Sequence, residues 1–446
     1  MKANWMHKIS MISLSIMLFF FAGSTAVHAN NGEQTVSKHS IKVMYKEKYL
    51  FDDSLFKKQF PNVEIKEVYW DGKTSLSDFI AKQTPDIVML NTLEYKQLVK
   101  GSQLVDLGQL IQRDQYDTTS IYPGLLDALK SNGKLYGLSP TFNTQAIYYN
   151  VDLFKKYGVA LPHDGMTWEE ILKLAAKFPT KGSKDTRIWG LHYPLDKYVY
   201  LLNDIAASEG LTRYDPNSLK AVMNTAPWKN TFAMAVSAIK SGTIEGTNKS
   251  GYSNNSFIMG KSAMLVAASG TDTLRDITAD KSALPNFKPF KVGIAAGPAD
   301  PKNKKTTRNI LLPAIMTIPT GSTNKDLAWD FIKFYNGVDY AKSQSDKLGS
   351  YGLSRMDDSK EYKGYRLDAF YKLKPNLDSP AYQNPLGMSF DMQYSNIVQG
   401  EIKQVIDSKK NPEKALQSIN TQVQNLLNKA GKKIGQTGIG KLQKCL

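Results

Sequence analysis

The chain has 446 residues, of which 41% are hydrophobic, and it carries a formal net charge of +16. A chain of this length exceeds what one hydrophobic core usually serves, so we expect two domains. Its single cysteine, Cys445, excludes an intrachain disulfide framework. The two basic clusters, KNKKTTR at 302–308 and the lysine-rich tail from Gly431, interleave no aromatic side chains, which argues against a nucleic-acid partner. Contact with an anionic cell-wall polymer, or solubility alone, accounts better for the charge.

The first 29 residues have the pattern of a secretory signal peptide. Two lysines precede an apolar stretch from Ile9 to Gly23, and Val27 and Ala29 occupy the positions that a signal peptidase reads. The apolar stretch has about 14 residues, fewer than the roughly 20 that a membrane-spanning helix needs. An uncleaved anchor is the alternative. Because no cysteine lies at the cleavage site, we expect an extracytoplasmic protein without a lipid anchor.

Strands and helices alternate through the first part of the mature chain. IKVMY at 41–45 and DIVML at 86–90 are continuous apolar runs of strand length. Between them, DSLFKKQF at 53–60 has helical spacing and VEIKEV at 63–68 alternates. Buried parallel strands have such unbroken apolar runs, so the pattern predicts a doubly wound α/β lobe.

Three later helices are marked by their first residues. Thr167 and Glu170 form a capping box before TWEEILKLAAKF. Asn324 opens a helix that Gly337 ends, and Asn411 opens another. The apolar face of this last helix consists of Leu416, Ile419, Val423 and Leu427.

The sequence contains no catalytic or metal-binding constellation. His39, His163 and His192 lack metal-ligand spacing and are interpreted as surface or structural histidines. No serine lies in a glycine-flanked elbow, and MGKSA at 259–263 lacks the upstream glycine of a phosphate loop. We therefore predict no enzyme activity and neither cofactor nor metal. A secreted glycoside hydrolase, whose two carboxylates cannot be paired from sequence, stays open as an alternative.

Aromatic residues make up 11% of the chain and include 23 tyrosines. Most of these rings are expected to pack in cores or interfaces. A minority could form a platform for the apolar faces of a sugar, while amides and carboxylates hold its hydroxyl groups. This composition favours binding over turnover.

Seven segments follow one another in the order of a known family. They are TPDIVMLN, LVDLGQLI, GKLYGLSPTFNTQAIYYNVDLFKKYGV, MTWEEILKLAAKF, GKSAMLV, KDLAWDFIKF and NPEKALQSI. Over residues 41–430 the chain thus resembles the extracellular solute-binding proteins of ABC importers, in particular the family 1 branch that binds oligosaccharides. The resemblance implies a periplasmic-binding-protein type 2 fold, an α/β fold in which two discontinuous lobes are joined by a three-crossing hinge and the ligand lies in the cleft.

The resemblance also implies a division of the chain. It gives a signal peptide at 1–29, a flexible segment at 30–40, lobe 1 at 41–143 and 296–347, lobe 2 at 144–295 and 348–430, and a disordered basic tail at 431–446. The first crossing would be SPTFNTQ at 139–145, the return crossing 290–298 and the last 347–355. Gly293, Gly297, Gly349 and Gly352 would suit a hinge, or they could be ordinary strand-end turns.

Carried over position by position, the resemblance gives a set of candidate ligand-binding residues. They are Lys46, Glu47, Tyr49, Asn91, Glu94, Asn143, Asp196, Lys197, Tyr198, Ser269, Thr271, Asp272 and Tyr394. Asn91 and Glu94 follow the strand 86–90, at the carboxyl end where ligands meet parallel strands. The chain departs from the family after GKSAM, where LVAASGTD offers hydroxyl and carboxylate groups in place of the usual glycine and tryptophan.

The function implied by the resemblance is that of a receptor with no reaction of its own. It would capture a carbohydrate, close around it and deliver it to the permease of an ABC transporter. We expect a monomer, located in a periplasm or associated with a cell envelope. A sensory or adhesive relative without a transport role is a further alternative.

Overall fold

The computed structural model describes residues 39–46, 53–72, 74–179, 181–183, 187–193, 198–245, 255–268, 271–285, 287–344, 352–355, 361–378 and 386–436. The signal peptide predicted at 1–29 lies outside these ranges. Of the segment predicted to be flexible at 30–40, His39 and Ser40 belong to the first strand, and residues 30–38 lie outside these ranges.

The strands are β1 His39–Tyr45, β2 Val63–Tyr69, β3 Ile87–Leu90, β4 Lys130–Ser131, β5 Lys134–Leu135, β6 Thr141–Asn150, β7 Trp189–His192, β8 Tyr214–Asp215, β9 Lys220–Ala221, β10 Ile244–Glu245, β11 Ser262–Ala268, β12 Val292–Ala296, β13 Thr306–Thr307, β14 Ile310–Leu311, β15 Ile315–Thr317, β16 Gly352–Leu353, β17 Glu361–Tyr362, β18 Tyr365–Arg366 and β19 Lys374–Pro375.

The helices are α1 Asp53–Gln59, α2 Leu76–Gln83, α3 Thr92–Lys100, α4 Leu107–Arg113, α5 Leu125–Leu129, α6 Val151–Tyr157, α7 Trp168–Ala175, α8 Tyr198–Ser208, α9 Ala226–Lys240, α10 Thr271–Thr278, α11 Lys325–Tyr335, α12 Val338–Gln344, α13 Met388–Ile406 and α14 Pro412–Gln436, and a 3₁₀ helix spans Asp368–Phe370.

The first lobe is built on a four-stranded sheet. Its strands lie in the order β15, β3, β1, β2. Strand β1 is parallel to β2 and β3, and β15 is antiparallel to β3. Every residue of β3 is buried, as its continuous apolar sequence predicts for a parallel strand covered on both faces.

The second lobe has a larger sheet with the strand order β10, β7, β11, β6, β12. Strands β10, β7 and β11 are mutually parallel. Strand β6 lies antiparallel between β11 and β12. The lobe therefore also has parallel strands whose carboxyl ends share one edge of the sheet.

Strand β6 is one continuous ten-residue strand. Its second half, 145–150, pairs with β11 and β12. Its first half, 141–144, pairs with β16 and β14. The predicted first crossing and the strand predicted directly after it are thus two halves of the same element.

The segment predicted as the return crossing contains a strand of the second-lobe sheet. Strand β12, inside 290–298, pairs with the second half of β6. The first half of β6 pairs instead with β14, where Ile310 pairs with Thr144. Between β12 and β14, Ala299 N donates to Met166 O over 2.9 Å and β13 pairs with β19. The bounds of the return crossing stay a prediction.

Two of the predicted hinge glycines serve close packing. A Cβ atom at Gly352 would lie 2.7 Å from Cζ of Phe142, its partner across β16 and β6. A Cβ atom at Gly293 would lie 2.2 Å from Cζ of Tyr149. These positions need glycine because an aromatic ring covers them. Gly349 lies outside the described residues.

The three predicted helices are confirmed as α7, α11 and α14. In the capping box of α7, Glu170 N donates to Thr167 Oγ1 over 3.3 Å and Thr167 N donates to Glu170 Oε2 over 2.9 Å. The predicted apolar face of α14 is buried along its length. Helix α14 continues to Gln436, so the tail predicted to be disordered from Gly431 is helical at first. Residues 437–446 lie outside the described chain.

Two large hydrophobic cores support the two sheets. The first gathers β1, β3, α1 and α11 around Phe56, Trp329 and Phe331. The second gathers α7, α8, α9, α13 and α14 around Trp168 and Trp228. No helix within the described ranges is long and apolar enough to cross a membrane.

The packing makes a testable distinction between two glycines. A Cβ atom at Gly190 in β7 would lie 2.0 Å from the backbone oxygen of Ala175. We expect Gly190→Ala to lower the free energy of unfolding by about 1–3 kcal/mol through overpacking. Gly400, exposed within α13, has nothing within 4 Å of that position. Gly400→Ala should raise the free energy of unfolding by about 0.5–1 kcal/mol. Urea denaturation measures both free energies of unfolding. A Gly190→Ala variant as stable as the wild type would contradict the overpacking at this position.

Candidate functional site

Three side chains meet where the parallel strands of the first sheet end. Lys46 follows β1, Trp70 follows β2, and Glu94 lies in the first turn of α3, directly after β3. The Lys46 Nζ atom lies 3.7 Å from Glu94 Oε1 and 5.4 Å from the centroid of the Trp70 ring. The carboxyl edge of this sheet is the place where α/β folds bind ligands.

Glu94 is held by the start of its own helix. Its Oε2 accepts the backbone N–H of Asn91 over 3.1 Å, and Asn91 Oδ1 accepts the N–H of Glu94 over 2.9 Å. This capping box fixes the carboxylate, whose side chain is only 10% exposed, beside the half-exposed Lys46. Asn91, predicted as a ligand residue, thus has its side-chain oxygen engaged in capping α3.

Trp70 was missed by sequence reasoning. Its indole Nε1 donates to Thr74 O over 3.1 Å, and the Lys46 ammonium lies over the ring as in a cation–π pair. The register of the strands explains the contact, since Tyr45 pairs with Tyr69 and the next residues are Lys46 and Trp70. Two parallel strands that end together present the residues that follow them to the same space.

A buried polar cluster lies at the carboxyl edge of the second sheet. His192 ends β7 and Glu245 ends β10, and the His192 Nδ1 atom lies 2.7 Å from Glu245 Oε2. The Ser256 hydroxyl donates to the same carboxylate oxygen over 2.5 Å. Burial raises the pKa of the Glu245 carboxyl, and the hydrogen bonds from His192 and Ser256 more than offset it, so that the pKa lies below its ordinary value.

This cluster does not have the geometry of a hydrolytic triad. The serine and the carboxylate both approach His192 Nδ1, at 3.0 and 2.7 Å, whereas a triad uses the two ring nitrogens for different partners. Ser256 itself is buried. The groups hold one another in place and keep a negative charge at the sheet edge.

Two further candidates have structural partners in the second lobe. Asp272, in the first turn of α10, forms an ion pair with Arg275 on the same helix. Tyr198 begins α8 and packs partly buried against the second core. Asn143 lies between the lobes in β6, where it is partly buried and pairs with Leu311 of β14.

Tyr394, one of the candidate ligand-binding residues, does not offer its ring to a cleft, which corrects the prediction for this residue. The side chain is fully buried in the second core. Its hydroxyl donates to Asn203 Oδ1 over 2.9 Å, and the Arg213 guanidinium lies 4.7 Å from the ring centroid. Burial raises the pKa of Tyr394 to about 12. The ring belongs to the face of α13 that packs on α8.

The remaining candidates lie outside what the structure describes. These are Glu47, Tyr49, Asp196, Lys197 and Ser269, together with the side chain of Thr271, whose backbone begins α10. They stay predictions. Within the described ranges, no group of acidic, histidine or cysteine side chains could hold a metal ion.

The family of the chain follows from its match to known proteins. The profile of the bacterial extracellular solute-binding proteins matches residues 38–342. This span covers more than half of the chain, and the chain belongs to that family. The two discontinuous α/β lobes are those of the periplasmic-binding-protein type 2 fold.

Individual relatives are distant. The chain is 28% identical over 186 residues to the arabinooligosaccharide-binding protein of Bacillus subtilis, a match covering 39% of this chain and 42% of that protein. It is 24% identical over 323 residues to the sn-glycerol-3-phosphate-binding periplasmic protein UgpB of Escherichia coli K12, covering 68% of this chain and 70% of that one. A sugar transporter structure from Rhizobium etli, in an open conformation, gives a TM-score of 0.59 at 21% identity, covering 86% of this chain and 98% of that one.

These findings bear on the class of protein. The family consists of solute-binding proteins rather than enzymes, which confirms the prediction of a binding protein and does not favour the glycoside hydrolase. The chain matches less than half the length of the Bacillus relative.

Glu94 can be tested for its two contacts separately. We expect Glu94→Ala to lower the free energy of unfolding by about 1 kcal/mol, because the capping box loses one member. Glu94→Gln should change it by less than about 0.5 kcal/mol, because glutamine also accepts the Asn91 N–H and a partly exposed ion pair contributes little. Urea denaturation of both variants measures the difference. Equal losses in the two variants would show that the charge, not the cap, stabilises this edge.

The lowered pKa of Glu245 gives a pH dependence with a defined sign. A carboxyl whose pKa is lower in the folded than in the unfolded chain stabilises the fold above the ordinary pKa of 4.5, and this stabilisation is lost as the pH falls through the folded value. Between about pH 5 and about pH 3.5, the free energy of unfolding should therefore fall less in Glu245→Gln than in the wild type. Glu413→Gln, at an exposed ion pair with Lys229, is the control and should follow the wild type.

Proposed function

We propose that this solute-binding protein is an extracytoplasmic receptor that captures an uncharged carbohydrate between its lobes and delivers it to an ABC transporter permease. The observation that carries the proposal is the trio Lys46, Trp70 and Glu94 at the carboxyl edge of the first sheet. An ammonium and a carboxylate can donate to and accept from sugar hydroxyls. The Trp70 ring is 8% exposed and packs beneath the Lys46 ammonium, which it helps to hold at this edge.

The charges at this edge support a neutral ligand over an anionic one. Lys46 lies beside Glu94, so the pair carries no net charge. At the second lobe, Arg275 is paired with Asp272, and the His192 cluster includes the Glu245 carboxylate. A phosphate ester bound at any of these places would lie beside a carboxylate, and such like-charge contacts oppose binding. The likeness to the arabinooligosaccharide-binding protein fits this reading better than the likeness to the glycerol-phosphate receptor.

Closure supplies the mechanism of capture. A ligand that contacts both lobes binds the closed form more tightly and shifts the population toward it by its difference in affinity for the two forms. Micromolar binding corresponds to about 8 kcal/mol, which several hydrogen bonds can supply together after ordering costs. The ligand leaves chemically unchanged, because binding neither forms nor breaks a covalent bond.

Isothermal titration calorimetry with arabino-oligosaccharides, malto-oligosaccharides, hexitols and sn-glycerol 3-phosphate tests the proposal. We expect a neutral saccharide or polyol to bind with a dissociation constant of about 1–100 μM and the phosphate ester to bind at least about tenfold more weakly. Thermal shift assays check each binding event, since a ligand that binds only the folded chain raises its stability. Preference for the phosphate ester, or no binding to the panel at millimolar concentration, would contradict the proposal.

Variants at the first-lobe edge locate the binding. Lys46→Met should weaken binding of the best saccharide by about tenfold, or about 1.4 kcal/mol, through loss of a charged hydrogen-bond donor. Lys66→Met is a matched control, because Lys66 is an exposed lysine of β2 with its own partner Glu64. If the two variants bound the saccharide with equal affinity, the carboxyl edge of the first sheet would not be part of the binding site.

A further inference from the structure

Two adjoining cavities lie at the β12 edge of the second-lobe sheet. The first, of about 410 Å³, lies between the end of α10 and the residues before β12. The second, of about 450 Å³, lies between β12 and the hairpin of β17 and β18. Val292 and Tyr365 line both cavities, and each volume is in the range of small-molecule sites. We call the two cavities together the side groove, bounded by Ile277, Phe287, Lys291, Val292, Lys363 and Tyr365.

The side groove lies apart from the polar edge of the same sheet. Strand β12 is the last strand on one side of the sheet, whereas β7 and β10, which end in His192 and Glu245, lie on the other side. Val292 pairs with Asn150, at the end of β6 that is farthest from its crossing half. The side groove is therefore a separate place from the His192 cluster and from the crossing between the lobes.

The first cavity of the side groove is mainly apolar. Ile277, Phe287 and Phe290 line it, and each of these side chains is partly exposed. Phe290 is held by an edge contact with Phe257, whose ring centroid lies 5.7 Å from its own. Partly exposed apolar side chains around a concavity gain free energy when a ligand removes them from water.

The charged groups beside this apolar half are engaged with the backbone. Lys281 Nζ donates to the carbonyl oxygens of Asp276, Ile277 and Ala279 at the end of α10, over 2.9, 2.8 and 2.8 Å. A lysine placed so satisfies the last carbonyl groups of a helix and its dipole. Asp280 Oδ1 accepts from Ser282 N over 2.9 Å. The first cavity thus offers a ligand mostly its apolar side chains.

The second cavity of the side groove is cationic. Of the described residues that line it, Lys291, Lys363 and Arg366 are cationic and none is acidic. All three side chains are exposed, and Arg366 forms an ion pair with Asp368. Lys363 lies at the tip of the hairpin, where it and Gly364 have the positive φ values, 47° and 85°, of a type I′ turn. Lys291 and Lys363 therefore supply the net positive charge of this half.

We propose that the side groove binds a fatty acid, an anion with a single long alkyl chain. The chain lies along Ile277, Phe287 and Val292, and the carboxylate accepts hydrogen bonds from Lys291 and Lys363. Charge complementarity selects this occupant, because an apolar cavity adjoins a cationic one and a single apolar cavity suits one chain rather than the two of a phospholipid. The proposal goes beyond the proposed function, since it adds a second class of ligand at a separate place.

Isothermal titration calorimetry on the mature chain, without sugar and below the concentration at which dodecanoate forms micelles, tests the proposal. We expect dodecanoate to bind with a dissociation constant of about 10 μM. Decanoate should bind about tenfold more weakly, because it buries two fewer CH₂ groups. Dodecyltrimethylammonium has the same chain length and a cationic head group, and should bind at least about tenfold more weakly than dodecanoate.

A pair of matched lysine variants locates the carboxylate. Lys363→Glu should weaken dodecanoate binding by about tenfold, because an attractive charge becomes a repulsive one. Lys156→Glu is the control, because Lys156 is an exposed lysine of α6 whose Nζ lies 5.5 Å from the ring centroid of Tyr157, as Lys363 Nζ lies 5.5 Å from that of Tyr362. The control should bind dodecanoate as the wild type does.

A second pair of variants locates the alkyl chain. Phe287→Ala should weaken dodecanoate binding by about tenfold through loss of apolar contact area. Leu161→Ala, at a leucine that is 47% exposed outside the side groove, should leave the binding unchanged. Melting temperatures check that each variant folds, and the Lys363→Glu variant decides the question if Phe287→Ala does not fold.

Several outcomes would overturn the proposal. These are no binding of dodecanoate at millimolar concentration, equally tight binding of the cationic amphiphile, and equal effects of a variant and its control. Binding to vesicles of phosphatidylglycerol but not to free dodecanoate would assign the side groove to a membrane surface, and dimer formation abolished by Lys363→Glu would assign it to a second copy of the chain. Saccharide affinity, measured on the same variants, should not change, so failure of the carbohydrate proposal is seen separately.

Discussion

The architecture depends on the pairing of a single strand, β6, with two sets of partners. Its second half belongs to the sheet of one lobe, while its first half pairs with β14 and β16, the segments that lead to the other lobe. A strand fixes the register of every partner it has, so the relative placement of the crossing segments follows from one element. The buried residues on both faces of β6 then connect this register to both cores.

The same topology explains why the molecule suits binding rather than catalysis. Both sheets have parallel strands, whose carboxyl ends collect side chains that follow unrelated stretches of sequence. At these edges the charged groups lie beside opposite charges or hydrogen-bond donors, as Lys46 does with Glu94 and Glu245 with Ser256. Such groups can accept and donate hydrogen bonds to a polyhydroxylated ligand.

Much of the fold could be predicted because local patterns determined it. The apolar runs gave β1 and β3, and the capping box of Thr167 and the spaced leucines of the last helix gave α7 and α14. The site was harder to predict from the sequence. The packing of Tyr394 in a core and the position of Trp70 beside Lys46 depend on which elements become neighbours. The role of 290–298 was hard to predict for a similar reason, since the segment has the sequence of a strand but only pairing decides to which sheet it belongs.

The contacts around the crossing also bear on the free energy available for closure. A ligand shifts a two-state equilibrium only by its difference in affinity for the two states, which is a few kcal/mol for a receptor that must release its ligand again. Each backbone residue that changes from many conformations to one on closing costs about 1–2 kcal/mol. The side chains beside the crossing already hold one another, as Asn309 Nδ2 does by donating to Gln145 Oε1 over 3.0 Å. Residues that are ordered before a ligand arrives add no such cost, which leaves more of the ligand's binding free energy for affinity.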